Sequence, residues 1–519
     1  MKIFAKYILL PIIVLMSVSC SDLLDVEAEG TISGDVLVDD ESIQDALNGA
    51  YYNFTGIADD NGGGELVGGD FIIIPTLLAR RRANIFQEIG WQSVNAPFSY
   101  NDFIEKSILE TNGRVAANWV RAYETINQLN TILANLENIE DSNTRNRIEG
   151  EALAMRGILY FEMVKLWAPH YRADGVNPET TPAIPIRMDP LTDINEIPVL
   201  TSSDLSSVGE VYDRAETDLR DASLLLESFG KNSPNLSYYA CQGYLARLHM
   251  QKGEYGQARS ACDNIISSME FSLNPTPLDA FNNPENTDED IFAIQQTLAN
   301  NTGDRTTSIG LTAFYSSLVT AGFGTFGVFE FSLDTEILIN SPRFSDNDLR
   351  GTIDINVDEG TTASNISTMY YRNIANNLDE LLSPAKYLRA DNVLPVMRLA
   401  EIYLMRAEST FESLGANVNQ QAVDDLNMVR TRAGLEPVQL SDFDADPFLF
   451  FDLVVLERKR ELIHEGHLLH DLKRWRFFSS SPSDYFVGAT LAGESFDPWD
   501  DRFILPIPQA EVNTWRGGD

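Results

Sequence analysis

The sequence predicts a mainly α-helical fold, a superhelix of tetratricopeptide-like helix pairs with long irregular loop insertions. Apolar residues recur at steps of three and four over long segments, which is the spacing of one helix face. Two segments place small residues and a glycine where paired helices would cross and turn. Between Pro275 and Pro395, by contrast, helical periodicity is weak and Asn, Asp, Gly and Thr are frequent.

The apolar stripes place helices at defined positions along the chain. They are expected near 114–140, 147–168, 204–228, 236–252, 256–269, 398–414, 419–433 and 451–475. The fourth and fifth helices would meet at Gly253, with Ala246 and Ala258 small enough for a close crossing. Ala407 and Gly415 repeat this arrangement in the C-terminal part of the chain.

The helices divide the chain into regions. We expect a signal peptide at 1–19 and one domain at 20–519, with helix pairs at about 114–269 and 398–475. A loop-rich insertion with a few strands should fill about 275–395, and a second irregular tract should cover 56–100. Both tracts contain aromatic residues, so we interpret them as ordered binding loops on a helical scaffold.

Charge and composition exclude several classes of function. The chain has 519 residues, 44% of them hydrophobic, and a formal net charge of −39. Such a polyanion is a poor partner for nucleic acid, which requires clustered Lys and Arg. Three cysteines and five histidines are too few for a disulfide scaffold or a Cys-rich metal site.

The first twenty residues read as an export signal. Lys2 and Lys6 precede an apolar stretch of about eleven residues from Ile8 to Val18, which is too short to span a membrane. Small residues then lead to Cys20, as in a bacterial lipoprotein cleavage site. Acyl chains on Cys20 would anchor the mature protein stably in a membrane. The alternative is an ordinary cleaved signal followed by an incidental cysteine.

Candidate metal and catalytic motifs fail on their spacing. His464, His467 and His470 lie three residues apart, whereas a zincin helix needs histidines four apart, so we interpret them as packing residues. Asp354, Asn356 and Asp358 imitate the start of a calcium loop, but Gly360 falls one place late and the closing Glu is missing. Nucleophile and phosphate-loop motifs are also absent from the sequence. We expect no enzymatic activity, cofactor or metal.

Two cysteines fall level with each other across the predicted hairpin. Cys241 and Cys262 have their midpoint close to Gly253, so they could lie near one another. Buried thiols filling a helix crossing and a disulfide both remain open, and the thiols are favoured.

The loops 56–100 and 300–380, within the two irregular tracts, supply the candidate ligand-binding residues. A flat aromatic ring can cover the apolar face of a sugar while polar neighbours bond its hydroxyls. The candidates are Trp91, Tyr315 and Phe326 as rings, with Asp70 and Arg81 as polar partners. The alternative is that Trp91 belongs to the core and that Phe326 lies in a strand of alternating core residues.

Several motifs resemble those of the SusD/RagB family of outer-membrane nutrient-binding lipoproteins of Bacteroidetes. Residues 457–475 read ERKRELIHEGHLLHDLKRW, which is similar to the family's ERxxEL…EGHRxxDLxRW run, with Leu468 and His470 as departures. Further similar segments are 22–25 (DLLD), 151–161 (EALAMRGILYF), 386–387 (KY), 395–408 (PVMRLAEIYLMRAE), 427–435 (NMVRTRAGL) and 505–511 (LPIPQAE). The resemblance extends over nearly the whole chain.

The resemblance implies an acyl-anchored binding protein on the outer face of the outer membrane. Such proteins pair with a SusC-like TonB-dependent transporter and capture glycans without catalysis. In some members the ligand is a peptide, and that alternative stays open here, as does a surface hydrolase with an acidic pair. The family's helical motif residues, among them Arg458, Glu461, Asp471 and Trp475, are expected to hold the scaffold together. The ligand site should be shallow and open, because the cargo must be released to a transporter.

Overall fold

Helices carry most of the architecture in the computed structural model of the chain. The structure describes residues 34–55, 66–79, 102–103, 106–191, 204–295, 311, 347–355, 366–373, 382–389, 392–475, 490–491, 494–495 and 497–514. The helices are α1 (Asp40–Thr55), α2 (Phe71–Leu78), α3 (Gly113–Ala134), α4 (Ser142–Trp167), α5 (Val208–Leu226), α6 (Tyr238–Lys252), α7 (Tyr255–Ser268), α8 (Leu399–Ser413), α9 (Gln420–Arg432), α10 (Phe448–Glu461), α11 (Leu468–Trp475) and α12 (Gln509–Thr514). The mainly α prediction is confirmed.

Short strands lie mainly between α7 and α8. They are β1 (Asp290–Gln295), β2 (Thr352–Ile355), β3 (Tyr370–Asn373), β4 (Leu382–Pro384), β5 (Val393–Arg398), β6 (Thr490–Leu491) and β7 (Glu494–Ser495). β1 pairs antiparallel with β5, so the two ends of the insertion are joined. β3 pairs with β2 in parallel and with β4 antiparallel. The described part of the insertion thus has the few strands that the sequence predicts.

Helix α1 lies outside the predicted helices, although its sequence carries a helical pattern. Asp39 starts it, because its carboxylate accepts a hydrogen bond from the Ser42 N–H at 2.9 Å. The bond from Ser42 lowers the pKa of Asp39. The buried face consists of Ile43, Ala46, Leu47, Ala50 and Phe54, spaced three and four residues apart.

The tract 56–100, expected to be irregular, contains helical structure. A π-helical turn over Leu66–Asp70 leads directly into α2. All residues from Phe71 to Pro75 are buried, so the apolar pattern is uniform and has no helical period. The expectation of an irregular tract is therefore wrong for residues 66–78.

Helices α3 to α5 begin at good capping residues. The side chain of Asn112 accepts hydrogen bonds from two N–H groups at the start of α3, and Asp141 caps α4. Ser207 and Glu210 form a capping box at α5. Helix α4 passes close to α5 at Gly157, where an added Cβ would lie 3.0 Å from the Ala215 carbonyl oxygen.

The hairpin of α6 and α7 has the predicted tetratricopeptide-like geometry. Gly253 ends α6 in the left-handed conformation at φ 78°, which a glycine adopts without steric cost. Ala246 and Ala258 are fully buried, as a close crossing of the two helices requires. Helices α8 and α9 form the second predicted pair, with Gly415 in the turn at φ 66°.

The last predicted helix, 451–475, is interrupted in the structure. Helix α10 ends at Glu461 and α11 begins at Leu468, with His464 at φ 64° and Gly466 at φ 83° between them. An added Cβ at Gly466 would lie 2.9 Å from the Ile72 Cα. The turn therefore packs against α2, a contact that the local sequence does not reveal. The prediction of one continuous helix is wrong here.

Most buried apolar side chains of the described residues form one hydrophobic cluster. It extends from Leu37, before α1, to Leu505, before α12. Helix α11 also lies against α2, so the end of the chain closes onto its beginning. No helix in the described part of the chain combines the length and the apolar character needed to cross a membrane.

Candidate functional site

Segments from both candidate ligand tracts leave the helical scaffold at the same place. Residue 56 follows Thr55 at the end of α1, and residue 296 follows Gln295 at the end of β1. Gly68 packs against both ends. A Cβ added at Gly68 would lie 2.4 Å from the Thr55 carbonyl oxygen and 2.8 Å from Ile294 Cδ1. Only glycine fits this three-way contact. The scaffold therefore brings together the ends of α1 and β1, from which segments 56–65 and 296–310 continue.

Asp70, predicted as a polar ligand contact, is fully buried beside this junction. Its carboxylate accepts hydrogen bonds from Arg114 Nη1 at 3.0 and 2.9 Å and from Asn118 Nδ2 at 2.6 Å. Both partners belong to α3, so Asp70 ties the π-helical turn to that helix. In this structure the carboxylate supports the base of the tract and does not reach the surface.

The other candidate contacts lie outside the described residues. They are Trp91, Tyr315, Phe326 and Arg81. Cys20, the expected lipid attachment site, also lies outside them. Asn356 and Asp358 of the calcium-like segment fall in the same category, whereas Asp354 lies in β2.

A buried cluster of charges fixes the insertion to the C-terminal helices. At its centre is Arg398, at the end of β5. Its guanidinium donates to Glu465 at 2.8 Å, to Glu461 at 2.7 Å and to Glu289 at 3.1 Å. Arg432 of α9 adds bonds of 3.0 Å to Glu289 and 2.6 Å to Glu461. These ion pairs join the residue before β1, the end of β5, α9, α10 and the turn after α10 within one desolvated site.

The second half of the cluster reaches into the insertion itself. Arg350 pairs with Asp348 at 2.9 Å and with Glu457 of α10 at 2.7 Å. Lys386 donates to Glu465 at 2.6 Å and to the Glu461 carbonyl oxygen at 2.7 Å. The sequence gives no signal for this network, because bonded members are separated by up to 143 residues along the chain.

Burial and ion pairing shift the pKa values of the cluster in opposite directions, because burial favours the neutral form of each group and pairing favours the charged form. Burial alone would raise the pKa of Glu461, but Arg432, Arg398 and Arg350 together hold it well below its ordinary value. Burial lowers the pKa of Lys386 to about 8, and Glu465 only partly offsets this effect. The arrangement is suited to holding elements together, because its carboxylates are already paired with cations.

The family-like residues of α10 and α11 are also paired inside the protein. Arg458 Nε donates to Asp471 at 2.9 Å, and Arg474 pairs with Glu408 of α8. Trp475 is buried and its indole N–H donates to Glu408 at 3.1 Å. The expectation that Arg458, Glu461, Asp471 and Trp475 hold the scaffold is confirmed.

The three C-terminal histidines occupy separate environments. His464 lies in the turn between α10 and α11, and His470 is buried in α11. His467 Nδ1 lies 3.6 Å from Glu401. Burial lowers the pKa of His467 to about 3 and that of His470 well below its ordinary value. Both are therefore neutral packing residues at physiological pH.

A different set of side chains has the ligand types of a metal site. Within the described residues, Glu216, His249 and Glu254 bring their ligand atoms to within 4.8 Å of one another. The Lys252 ammonium already lies among them, 2.9 Å from Glu216 and 3.3 Å from Glu254. The lysine supplies the positive charge that a metal ion would otherwise bring. The sequence gives no signal for this cluster, since its residues come from α5, α6 and the α6–α7 turn.

The two helical cysteines are free thiols. Cys241 and Cys262 are both buried and unpaired. Burial raises the pKa of the Cys241 thiol to about 12 and raises that of Cys262 as well. Of the two alternatives left open by the sequence, buried thiols are therefore correct.

Comparisons with known proteins agree with this architecture. A model of the SusD family matches residues 348–517. A second, SusD-like model matches residues 79–250 and is described as starch-binding associating with the outer membrane. SusD-like protein P25 of Formosa agariphila is 24% identical over 470 residues, which cover 83% of this chain and 82% of that protein.

Solved structures show the same fold. A SusD superfamily protein of Bacteroides thetaiotaomicron superposes with a TM-score of 0.70 at 21% identity, over 92% of this chain and 98% of that chain. Surface glycan-binding protein A from Bacteroides thetaiotaomicron superposes with a TM-score of 0.64 at 19% identity, over 92% and 98% of the two chains. The helix pairs and the described strands thus form a known scaffold.

Proposed function

This chain belongs to the SusD/RagB family, and we propose that it is a non-catalytic glycan-binding lipoprotein of the outer membrane. It faces the cell exterior and delivers its ligand to a SusC-like TonB-dependent transporter. The observation that carries the proposal is the match of two SusD-family models to separate segments of one scaffold. The name of the structurally similar surface glycan-binding protein supports a glycan as the ligand class.

The junction around Gly68 supports the placement of the ligand site. Segments 56–65 and 296–310 leave the scaffold at this junction; Tyr315 and Phe326 follow the second segment in the chain, whereas Arg81 and Trp91 follow α2. We place the sugar-contacting rings at Trp91, Tyr315 and Phe326, with Arg81 as a polar partner. Asp70 serves this site indirectly, by fixing the turn that follows the first tract.

The ion pairs favour binding over catalysis. A glycosidase needs two carboxyl groups facing one cleft, one of them able to give up a proton. Glu461 and Glu465 are instead buried and paired with arginine and lysine. These carboxylates hold the scaffold and are unavailable as a catalytic pair.

Titration with an oligosaccharide panel tests the ligand class. We expect at least one glycan to bind and Trp91→Ala or Tyr315→Ala to weaken that binding. Tyr52→Ala is the matched control, because Tyr52 is an exposed aromatic residue on the scaffold helix α1. Binding of peptides in place of glycans would contradict the substrate class, and binding that survives both Trp91→Ala and Tyr315→Ala would contradict the residue assignment.

Lipid labelling and membrane fractionation test the anchor. Replacing Cys20 with Ala should release the protein from the outer membrane or block its maturation. A Cys20→Ala variant that remains lipid-labelled and membrane-bound would refute acylation at this residue. Co-purification with a TonB-dependent transporter from detergent-solubilised membranes tests the partner.

A further inference from the structure

Three aromatic side chains form a half-exposed row at one end of the helix pairs. Tyr238 and Tyr239, at the start of α6, have ring centroids 5.2 Å apart, and Phe271 lies 5.2 Å from Tyr239. All three pack against the hydrophobic core on one side. Met269, at the end of α7 and two residues before Phe271, adds an exposed apolar side chain. We call Tyr238, Tyr239, Met269 and Phe271 the aromatic ledge.

Met269 is unusual in both its exposure and its backbone. Its side chain is 87% exposed, although methionine is ordinarily a core residue. It also ends α7 in the left-handed conformation, at φ 59°, which favours glycine or asparagine. The left-handed backbone ends α7 and lets the Met269 N–H donate to the Ile266 carbonyl oxygen at 3.3 Å, but the exposed side chain adds little buried apolar area. An apolar side chain held at the surface in a strained conformation indicates a role in contact with another molecule.

Polar groups accompany the rings. The Tyr238 and Tyr239 side chains are only partly buried, so a ligand can reach them from the solvent side. The Lys231 ammonium lies 4.8 Å from the centroid of the Phe271 ring and 3.6 Å from the exposed carboxylate of Asp288. Ring faces, phenol hydroxyls and a charged pair are thus combined on one surface.

We propose that the aromatic ledge is a second carbohydrate-contact surface, which takes a neutral glycan chain. The rings would cover the apolar C–H faces of the sugar units, and the tyrosine hydroxyls, Lys231 and Asp288 would bond its hydroxyls. The inference rests on the proposed glycan-binding function. It adds a contact built on rigid helix ends, separate in sequence from the tracts 56–100 and 300–380.

The chemistry of the ledge selects the ligand class. A neutral chain fits because the charge of Lys231 is already balanced by Asp288, and because a net charge of −39 disfavours acidic glycans. Amphipathic tyrosine rings contact a ligand over a large area and lose little side-chain freedom when they bind. A chain that engages both the ledge and the loop tracts would be held more tightly than by either alone.

Hydroxyl-radical footprinting tests the ledge with Met269 as the built-in reporter. The probes are maltoheptaose, laminarin and xylan, applied to the full-length protein at saturating concentration. Oxidation of Met269 should slow by at least about threefold when a bound glycan covers it, whereas Met428 on α9 should not change. Protection of Met269 should persist in Trp91→Ala at saturation, because the ledge does not depend on that residue.

Three variants connect the footprint to affinity. Tyr239→Ala should lower the affinity by about fivefold or more and abolish the protection of Met269, and Tyr239→Phe should lower the affinity less. Met269→Gly should also weaken binding, and it cannot fail through misfolding at this site, since glycine suits φ 59°. Thermal unfolding should show Met269→Gly to be at least as stable as the parent.

The possible results distinguish a failure of the ledge proposal from a failure of the proposed glycan-binding function. If a glycan binds but Met269 stays unprotected, or if Tyr239→Ala and Met269→Gly both keep full affinity, the ledge is refuted and the proposed function stands. If the parent protein binds none of the three glycans, both proposals fail for neutral glycans. Protection that disappears in Tyr239→Ala supports the ledge.

Discussion

Replacing Glu461 with glutamine tests whether the buried charge cluster holds the insertion on the helices. The Glu461 side chain is fully buried and accepts bonds from Arg398 at 2.7 Å and Arg432 at 2.6 Å, with Arg350 at 3.6 Å. The neutral amide of the introduced glutamine would leave these three guanidinium groups short of one negative charge. Breaking a buried ion pair in this way costs roughly 3–5 kcal/mol of folding free energy.

The magnitude should fall toward the lower end of that range. Arg398 and Arg432 keep bonds to Glu289, and Arg398 also keeps Glu465. We therefore expect the Glu461→Gln variant to lose about 3 kcal/mol of unfolding free energy at pH 7. The assay is urea unfolding followed by tryptophan fluorescence.

Acidification supplies an independent check of the same contact. The pKa of Glu461 is held well below its ordinary value in the folded state, so its stabilisation is present above the unfolded-state pKa of about 4.3. This stabilisation is lost as the pH falls below that value, because the unfolded chain then binds the proton. The stability gap between parent and Glu461→Gln should therefore shrink by about 1 kcal/mol between pH 7 and pH 3.5.

Two further variants serve as controls for Glu461→Gln. Asp500→Asn breaks a surface pair with Arg502 and should cost at most about 1 kcal/mol. The double variant Glu461→Gln/Arg432→Met should lose less than the sum of the single changes, since it removes a charge with its partner. A cost for Glu461→Gln equal to that of Asp500→Asn, or a gap that does not change with pH, would show that the cluster does not stabilise the fold as described.

Three further outcomes follow from the structure. Gly68→Ala should lose about 1–3 kcal/mol in urea unfolding, because its Cβ would meet a backbone oxygen at 2.4 Å, whereas Gly113→Ala, with open space around its Cβ, should not. Burial lowers the pKa of His170 to about 3, whereas the unfolded chain binds the proton from about pH 6.5. The free energy of unfolding therefore decreases as the pH falls below about 6.5. His170→Gln should reduce the acid slope of the unfolding free energy by about 1.4 kcal/mol per pH unit between pH 6 and 4. Cys241 and Cys262 should resist thiol labelling in the native protein and react in urea, as peptide mass spectrometry would show.

Local pattern was enough to predict most of the helical scaffold. The pairs α3 to α9 have amphipathic stripes or turn glycines, and the predicted positions lie within several residues of the observed ends. The departures have physical causes. Helix α2 is buried on every side and has no period, and the break after α10 depends on the contact of Gly466 with α2.

The buried charge cluster and the burial of Asp70 could not be predicted from local pattern. Asp70 follows a glycine-rich stretch, which suggested a surface loop, but Arg114 lies 44 residues later and takes its carboxylate into the core. Arg398 meets Glu289 across 109 residues. Such pairings depend on the packing of distant elements, so neither periodicity nor spacing along the chain indicates them.

The residues in the family-like motifs have their bonding partners inside the protein, so they explain the scaffold and leave ligand recognition unexplained. Arg398, Arg458 and Arg474 lie in the motifs that resemble the SusD family, and each is bonded to carboxylates inside the protein. A guanidinium in that position fixes helices and strands but cannot reach a ligand. Those motifs therefore explain how the scaffold is held and how the tracts are mounted on it. The ligand must be recognised elsewhere, by residues that solvent can reach, and the partly exposed rings of Tyr238 and Tyr239 are the ones we propose among the described residues.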